Sequence, residues 1–196
     1  MKKLLTKPAL SRPEHALALV LVIGLGACGG GGESSSPAAA VISPAASSAT
    51  GSTCGLSAFQ ATTLARVNQY RAAGATCGTR GAFAAAAPLT WNALLTQSAE
   101  GHSQDMVANN FFAHDSFDGR TFDQRITATG YSWSLVAENI AAGQTTIDQV
   151  MADWMASEGH CVNIMNAAIT EIGMVCVAAS DKTYPTYWTM DLGKPR

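Results

Sequence analysis

Residues 28–53 are built almost entirely of Gly, Ser, Ala, Pro and Thr, with one charge, Glu33, and almost no large apolar side chain. Such a stretch cannot bury enough apolar surface to offset the entropy of ordering it, so it reads as a flexible tether and confines folding to the residues after it. With about 25 residues its root-mean-square reach is on the order of 25–30 Å. Residues 54–196 are the right size for one domain with one core, and no internal repeat divides them.

Residues 1–27 read as a signal peptide. Lys2, Lys3, Lys7 and Arg12 precede an apolar run from Ala16 to Gly26, and small residues come next. The run is roughly 11 residues, against roughly 20 needed to cross a hydrocarbon core, and no later run is longer, so no permanent transmembrane helix is expected. Leu25-Gly26-Ala27-Cys28 resembles a bacterial lipobox, in which cleavage precedes a cysteine that carries a diacylglyceryl group. The expectation is a chain anchored to a bacterial membrane through lipid on Cys28. Gly29, in place of the aspartate that often retains lipoproteins at an inner membrane, favours the outer one. Ordinary secretory cleavage near Ala27, releasing a secreted chain with a free thiol, is the alternative.

Of 12 basic and 14 acidic side chains, four basic ones and Glu14 leave with the leader, so eight and 13 remain and the net charge moves from −2 to −5. A domain of that sign has no basic footprint for nucleic acid.

Removing Cys28 leaves Cys54, Cys77, Cys161 and Cys176, an even set in an exported chain, which reads as two disulfides. Three pairings are open. The local ones, Cys54 with Cys77 and Cys161 with Cys176, are favoured because each encloses one supersecondary unit. A structural zinc site is the rival, weakened by the lack of close CxxC spacing.

Apolar spacing of three and four predicts a helix over 56–73, and a second opening at Pro88 with Leu95, Ala99, His102 and Met106 on one inward stripe. Thr121 with Gln124 and Thr146 with Gln149 fit capping boxes that start two more. Trp154 lies on the inward stripe of the last. Residues 134–142 read as extended, a turn is expected around Asn163, and 173–178 with 187–192 read as strands joined by the polar segment 179–185. Helices followed by an antiparallel hairpin give an α+β domain. Most of its aromatic residues are expected in the core, with Trp133 the exposed one.

Read as a string, the chain holds Pro-Leu-Thr-Trp-Asn at 88–92, His-Ser-Gln-Asp-Met at 102–106, Asn-Phe-Phe-Ala-His at 110–114 and Glu-Asn-Ile-Ala at 138–141. Trp-Met-Ala-Ser-Glu-Gly-His-Cys-Val-Asn-Ile-Met-Asn stands at 154–166, then Thr-Glu-Ile-Gly at 170–173 and Tyr-Trp-Thr-Met-Asp-Leu-Gly at 187–193. In order and spacing these resemble the CAP superfamily of cysteine-rich secretory, antigen 5 and pathogenesis-related proteins, in its bacterial SCP-like branch. The resemblance implies a three-layer α/β/α sandwich around a central antiparallel sheet. It also implies an open cleft where two histidines and two acidic residues converge, in several members around a divalent cation. Carried over residue by residue, the histidines fall on His114 and His160 and one acidic residue on Glu138. The second acidic position has no clear counterpart, because the longer segment that precedes the Gly-His elsewhere is missing here. Ser157 or Glu158 approaches its place, and Asn139 stands beside Glu138 as a further supporting residue.

Two imidazoles and a carboxylate suit zinc or another transition ion, which would polarise a water or a ligand oxygen. The alternative is a hydrogen-bonded network without metal that shapes a cleft floor. His102, on an inward stripe, reads as a packed residue. Neither an HExxH helix nor a GxSxG elbow is present. Cys161 beside His160 suggests a thiol nucleophile only if no disulfide takes it. Three function classes therefore stand in order. The first is a lipid-tethered binding module for a small apolar ligand, a cation or an envelope component. The second is a metal-dependent hydrolase, an activity proposed for isolated family members, and the third a structural module. No confident catalytic residue emerges, and binding is favoured over catalysis.

Overall fold

The computed structural model describes residues 52–196 in full and the backbone path of 3–11. Cys28, the rest of the expected leader and nearly all of the expected tether lie outside the described residues. Strand β1 (Lys3–Ser11) comes first, followed by helix α1 (Phe59–Ala73), short strands β2 (Ala75–Thr76) and β3 (Ala82–Phe83) around a 3-10 turn (Gly78–Arg80), and strand β4 (Thr90–Trp91). Then come α2 (Ala93–Asn109), α3 (Phe122–Ala128), β5 (Trp133–Ala142), α4 (Ile147–Ala156), α5 (Glu158–Met165), β6 (Glu171–Ala178) and β7 (Thr186–Pro195).

Five strands form one sheet in the order β1-β5-β7-β6-β4. β5, β7 and β6 are antiparallel neighbours, whereas the two residues of β4 run parallel to β6, so the sheet is mixed at that edge. β1 runs antiparallel along β5 from Lys3 opposite Ala142 to Ser11 opposite Leu135, with a register shift between Lys7 and Leu10 around Pro8. Strand alternation then sorts the side chains into two faces. Ala137, Ala141, Ile172, Met174, Trp188, Met190 and Leu192 join Val67 of α1, Trp154 of α4 and Ile164 of α5 in the larger core. On the other face Val136 packs with Leu95 of α2 and Phe122 and Ile126 of α3, and Ile140 with Met106 and Tyr187. The result is the expected three-layer α+β sandwich.

Several local expectations are corrected. α2 starts at Ala93 and not at Pro88, because Asn92 is the stronger cap: its side-chain oxygen accepts from Leu94 N at 2.8 Å and Leu95 N at 3.2 Å. That leaves Thr90 and Trp91 free to pair with β6. α1 starts later than expected, at Phe59, after a left-handed turn at Ala58. The turn expected around Asn163 is helix α5, which carries His160. Trp133 is buried, with its indole N–H donating to the Thr127 hydroxyl at 3.0 Å, because α3 folds over the start of β5. Both capping positions match: Thr121 and Gln124 form the full box, and the Thr146 hydroxyl accepts from Gln149 N at 3.2 Å.

The disulfides pair across the fold, Cys54 with Cys176 and Cys77 with Cys161, and not locally. The reason is the path of the chain at the entrance to the domain. Cys54 N donates to Cys176 O at 3.0 Å and Cys176 N to Ser52 O at 2.9 Å, so the entering segment lies alongside β6. Cys161, one turn into α5, faces the 3-10 turn that Cys77 caps.

Candidate functional site

The polar cluster around Glu138 is assembled on the α2/α3 face of the sheet. Glu138, at the middle of β5, is fully buried and spends both oxygens on partners. His114 Nδ1 lies 2.7 Å from Oε1, and Arg125 Nη2 of α3 pairs with Oε2. A carboxylate only accepts, so Nδ1 of His114 carries the proton of this bond and Nε2 faces away from Glu138. That Nε2 is buried and has no hydrogen-bond partner among the described residues. His114 is therefore an imidazole oriented by a carboxylate, with its second ring nitrogen buried and unpartnered among the described residues.

Arg125 organises the loop that presents His114. Its Nη1 donates to His114 O at 2.9 Å, Arg120 O at 3.1 Å and Ser116 Oγ at 3.2 Å. Beneath the loop, buried His102 places Nε2 2.9 Å from Ala113 O, and since a carbonyl cannot donate, the proton is on that nitrogen. Burial lowers the His102 pKa and keeps it neutral.

Asp191 of β7 stands directly opposite Glu138 in the β5–β7 register and is also fully buried. Two carboxylates held opposite each other in a dry interior cannot both ionise cheaply. Burial and the neighbouring Glu138 push Asp191 well above its ordinary range, with the field of the Arg125 guanidinium partly opposing. Asp191 thus holds a proton. Neither Asp191 oxygen has a hydrogen-bond partner in standard geometry among the described residues. Burial alone would raise Glu138 too, but the field of His102, the His114 hydrogen bond and the Arg125 guanidinium outweigh it and hold Glu138 down at about 2. With His102 neutral near pH 7, Arg125 and His114 carry that effect.

The sequence-predicted residues divide. His114 and Glu138 are in direct contact. His160 joins the same strand from the other layer: on α5 it is buried, its ring 6.4 Å from that of Trp154, and its backbone oxygen accepts from Asn139 Nδ2 at 3.3 Å. Asn139, adjacent to Glu138 and so pointing to the opposite face, also accepts from Asn163 Nδ2 at 2.9 Å. Glu158 faces outward. It accepts from Thr79 N at 2.9 Å and Thr79 Oγ1 at 2.7 Å and pairs with exposed Arg80. Ser157 caps α5 without a side-chain cap bond. The second acidic group near Glu138 is Asp191, not Glu158. Arg125 and Asp191 escaped sequence reasoning, although each left a signal: an arginine between Phe122 and Ile126, and a carboxylate inside an apolar strand, both demand buried partners. Cys161 is in a disulfide and unavailable as a nucleophile.

The arrangement does not suit a divalent ion with Glu138 as ligand. Both its oxygens are committed, the Arg125 cation would repel a second positive charge, and among the described residues no group of three His, Cys, Asp or Glu side chains is placed to hold a metal.

Comparison with known proteins locates this architecture. Residues 64–192 match the family model described as CAP, the cysteine-rich secretory protein family. Over 88 residues the chain is 43% identical to the uncharacterized protein YkwD of Bacillus subtilis, an alignment covering 44% of this chain and 34% of that protein. Over another 88-residue alignment it is 31% identical to the B. subtilis membrane protein YlbC, covering 45% and 25%. The chain thus spans about a third or less of the length of these relatives. Among solved structures, an extracellular SCP-domain protein of Bacillus anthracis superposes with a TM-score of 0.53 at 24% identity, covering 69% of this chain and 41% of that one. An outer surface protein of Borrelia burgdorferi gives 0.52 at 23%, covering 57% and 80%. With the sandwich in place and the family match running from α1 to β7, the chain belongs to the CAP, or cysteine-rich secretory protein, family.

Proposed function

We propose that this chain is an exported, lipid-anchored binding module whose cleft takes a small ligand of the cell envelope through His114. The observation that carries the reading is His114 Nε2, buried and unpartnered among the described residues on a ring that Glu138 fixes. Leaving such a buried polar nitrogen without a partner costs about 1–3 kcal/mol, so the site is poised for a hydrogen-bonding group of a ligand. The Glu138 contact on Nδ1 and the Arg125 bond to His114 O preset the imidazole, so little ordering is left for the ligand to impose. An open apolar groove of about 430 Å³, lined by Ala58, Phe59, Gln60, Ala61 and Leu64, offers a separate place for an acyl or other apolar group. Export is supported by the leader, the two disulfides and the extracellular and outer-surface settings named for the two structural relatives. A tether on Cys28 would raise the effective concentration of the domain against partners at the same membrane.

Hydrolysis is the second reading, favoured by the same pair: an imidazole backed by a carboxylate is the geometry of a general base acting on water. Native mass spectrometry of protein recovered from the membrane, beside His114→Ala and His160→Ala, sorts these readings. A bound small molecule retained by the wild type and lost in His114→Ala is the expected result. Stoichiometric zinc lost in both variants would replace the ligand reading with a metal site. Saturable ester or peptide cleavage abolished by Glu138→Ala would replace it with a hydrolase. Neither ligand, metal nor turnover, with variants that are only less stable, would reduce the cluster to a structural role.

A further inference from the structure

The two edges of the sheet are managed differently. At one end β4 is two residues long, which leaves little for another strand to pair with. At the other, β5 is ten residues long and is covered by β1, a segment that lies inside the leader. Once the leader is removed, the outer backbone N–H and C=O groups of β5 face open space. Edge strands in monomeric proteins are usually guarded by lysine, proline, a bulge or an inward charge with no partner. The sequence of β5, Trp-Ser-Leu-Val-Ala-Glu-Asn-Ile-Ala-Ala, has no lysine, arginine or proline. Its single charge, Glu138, is turned inward and neutralised by Arg125. Nothing in this strand discourages pairing.

We propose that the exposed edge of β5 is a strand acceptor, which in the exported protein takes an extended segment of a partner polypeptide running antiparallel over 135–142. The proposal rests on the leader being removed, as the proposed function does. Residues 3–11 demonstrate the seat: seven of their positions find Cα partners between Leu135 and Ala142. The seat is a slot and not an open plane, because α5 packs alongside β1 as well as β5. That geometry admits a single strand. A second copy would bring its own α5 to the same slot, so a partner segment is the better occupant. On the α5 side the β5 positions are Ala137, Asn139 and Ala141, small residues that leave room for larger ones on the incoming strand. The register position opposite Glu138 is Lys7, and an acidic residue there would add to the two carboxyl groups already beneath it. The expected partner segment is extended and apolar or basic, with main-chain hydrogen bonds supplying affinity and alternate side chains specificity.

The experiment uses protein processed by the exporting cell and, as probe, the synthetic peptide Lys-Leu-Leu-Thr-Lys-Pro-Ala-Leu-Ser, residues 3–11. Saturable binding should slow amide hydrogen exchange in 135–142 while leaving β6 unchanged. N-methylation should abolish binding when placed on one alternate set of residues, either Leu4 and Thr6 or Leu5 and Lys7, and spare it on the other, because alternate N–H groups of a strand face its neighbour. A peptide carrying Lys7→Glu should bind at least tenfold more weakly. His114→Ala protein should bind the unmodified peptide normally, which separates failure here from failure of the His114 ligand site. Unslowed exchange in 135–142 at high peptide concentration, with β6 and β7 still protected, would overturn the proposal. So would equal loss from both methylated sets. Protection of 135–142 that rises with protein concentration in the absence of peptide would replace the partner segment with a second copy. Export with residues 1–27 still attached would leave the edge closed and overturn both the leader reading and the acceptor.

Discussion

Asp191 and Glu138 show how one strand register sets opposite behaviours in two carboxyl groups. Both are fully buried and stand opposite each other, yet Arg125 and His114 contact only Glu138, so Glu138 takes the charge and Asp191 the proton. The consequence for stability comes from linkage. Between the ordinary value of 3.8 and its raised folded value, Asp191 is deprotonated in the unfolded chain but not in the native one, so its contribution to stability is full below 3.8 and is lost as pH rises through that window. Glu138 works in the other direction: its contribution is present above 4.5 and is lost as pH falls from 4.5 toward about 2. Asp191→Asn keeps a neutral donor facing Glu138 and removes the first of these dependences. Urea unfolding at pH 4, 6 and 8 should show the variant gaining on the wild type as pH rises. Parallel profiles for the two proteins would show that Asp191 is ionised in the fold.

Elements pack closely enough that one glycine decides the spacing between a helix and the sheet. A Cβ on Gly173 of β6 would lie 2.1 Å from Thr96 N and 2.4 Å from Leu95 C, both backbone atoms of α2. Backbone inside a helix cannot give way as a flexible side chain would, so Gly173→Ala should cost about 3 kcal/mol or more, the upper end of overpacking. A midpoint unchanged in chemical denaturation would contradict this close approach. The same contact shows what could be read in advance. Elements with local causes were legible: Thr121 with Gln124 and Thr146 with Gln149 start their helices as their capping chemistry dictates, and His102 and Trp154 lie on inward stripes. α5 was not, because glycine and asparagine interrupt its pattern and what holds it is tertiary, the Cys161 disulfide and the burial of Ile164. In the site, His114, Glu138 and His160 were reached through family resemblance. The Arg125–Glu138–Asp191 chain was not, because its members come from α3, β5 and β7 and only the sheet register brings them together.

At the scale of the whole molecule the two disulfides are nested, and nesting changes what each contributes. Cys54–Cys176 spans 122 residues and Cys77–Cys161 spans 84 within it. Taken alone, loops of that size would each contribute roughly 4.5–5 kcal/mol by chain entropy, with the longer slightly ahead. With both present, however, removing either one opens the same smaller ring, formed by the segments 54–77 and 161–176. That ring is the difference between the two spans, 122 − 84 = 38 residues. Its closure is worth about 4 kcal/mol whichever bond is cut. The double variants Cys54→Ser with Cys176→Ser and Cys77→Ser with Cys161→Ser should therefore lose nearly equal stability, within about 1 kcal/mol, in urea denaturation. A large excess for the Cys77–Cys161 pair would mean that this bond does more than restrict the unfolded chain, and that it holds α5, and His160 with it, against β5.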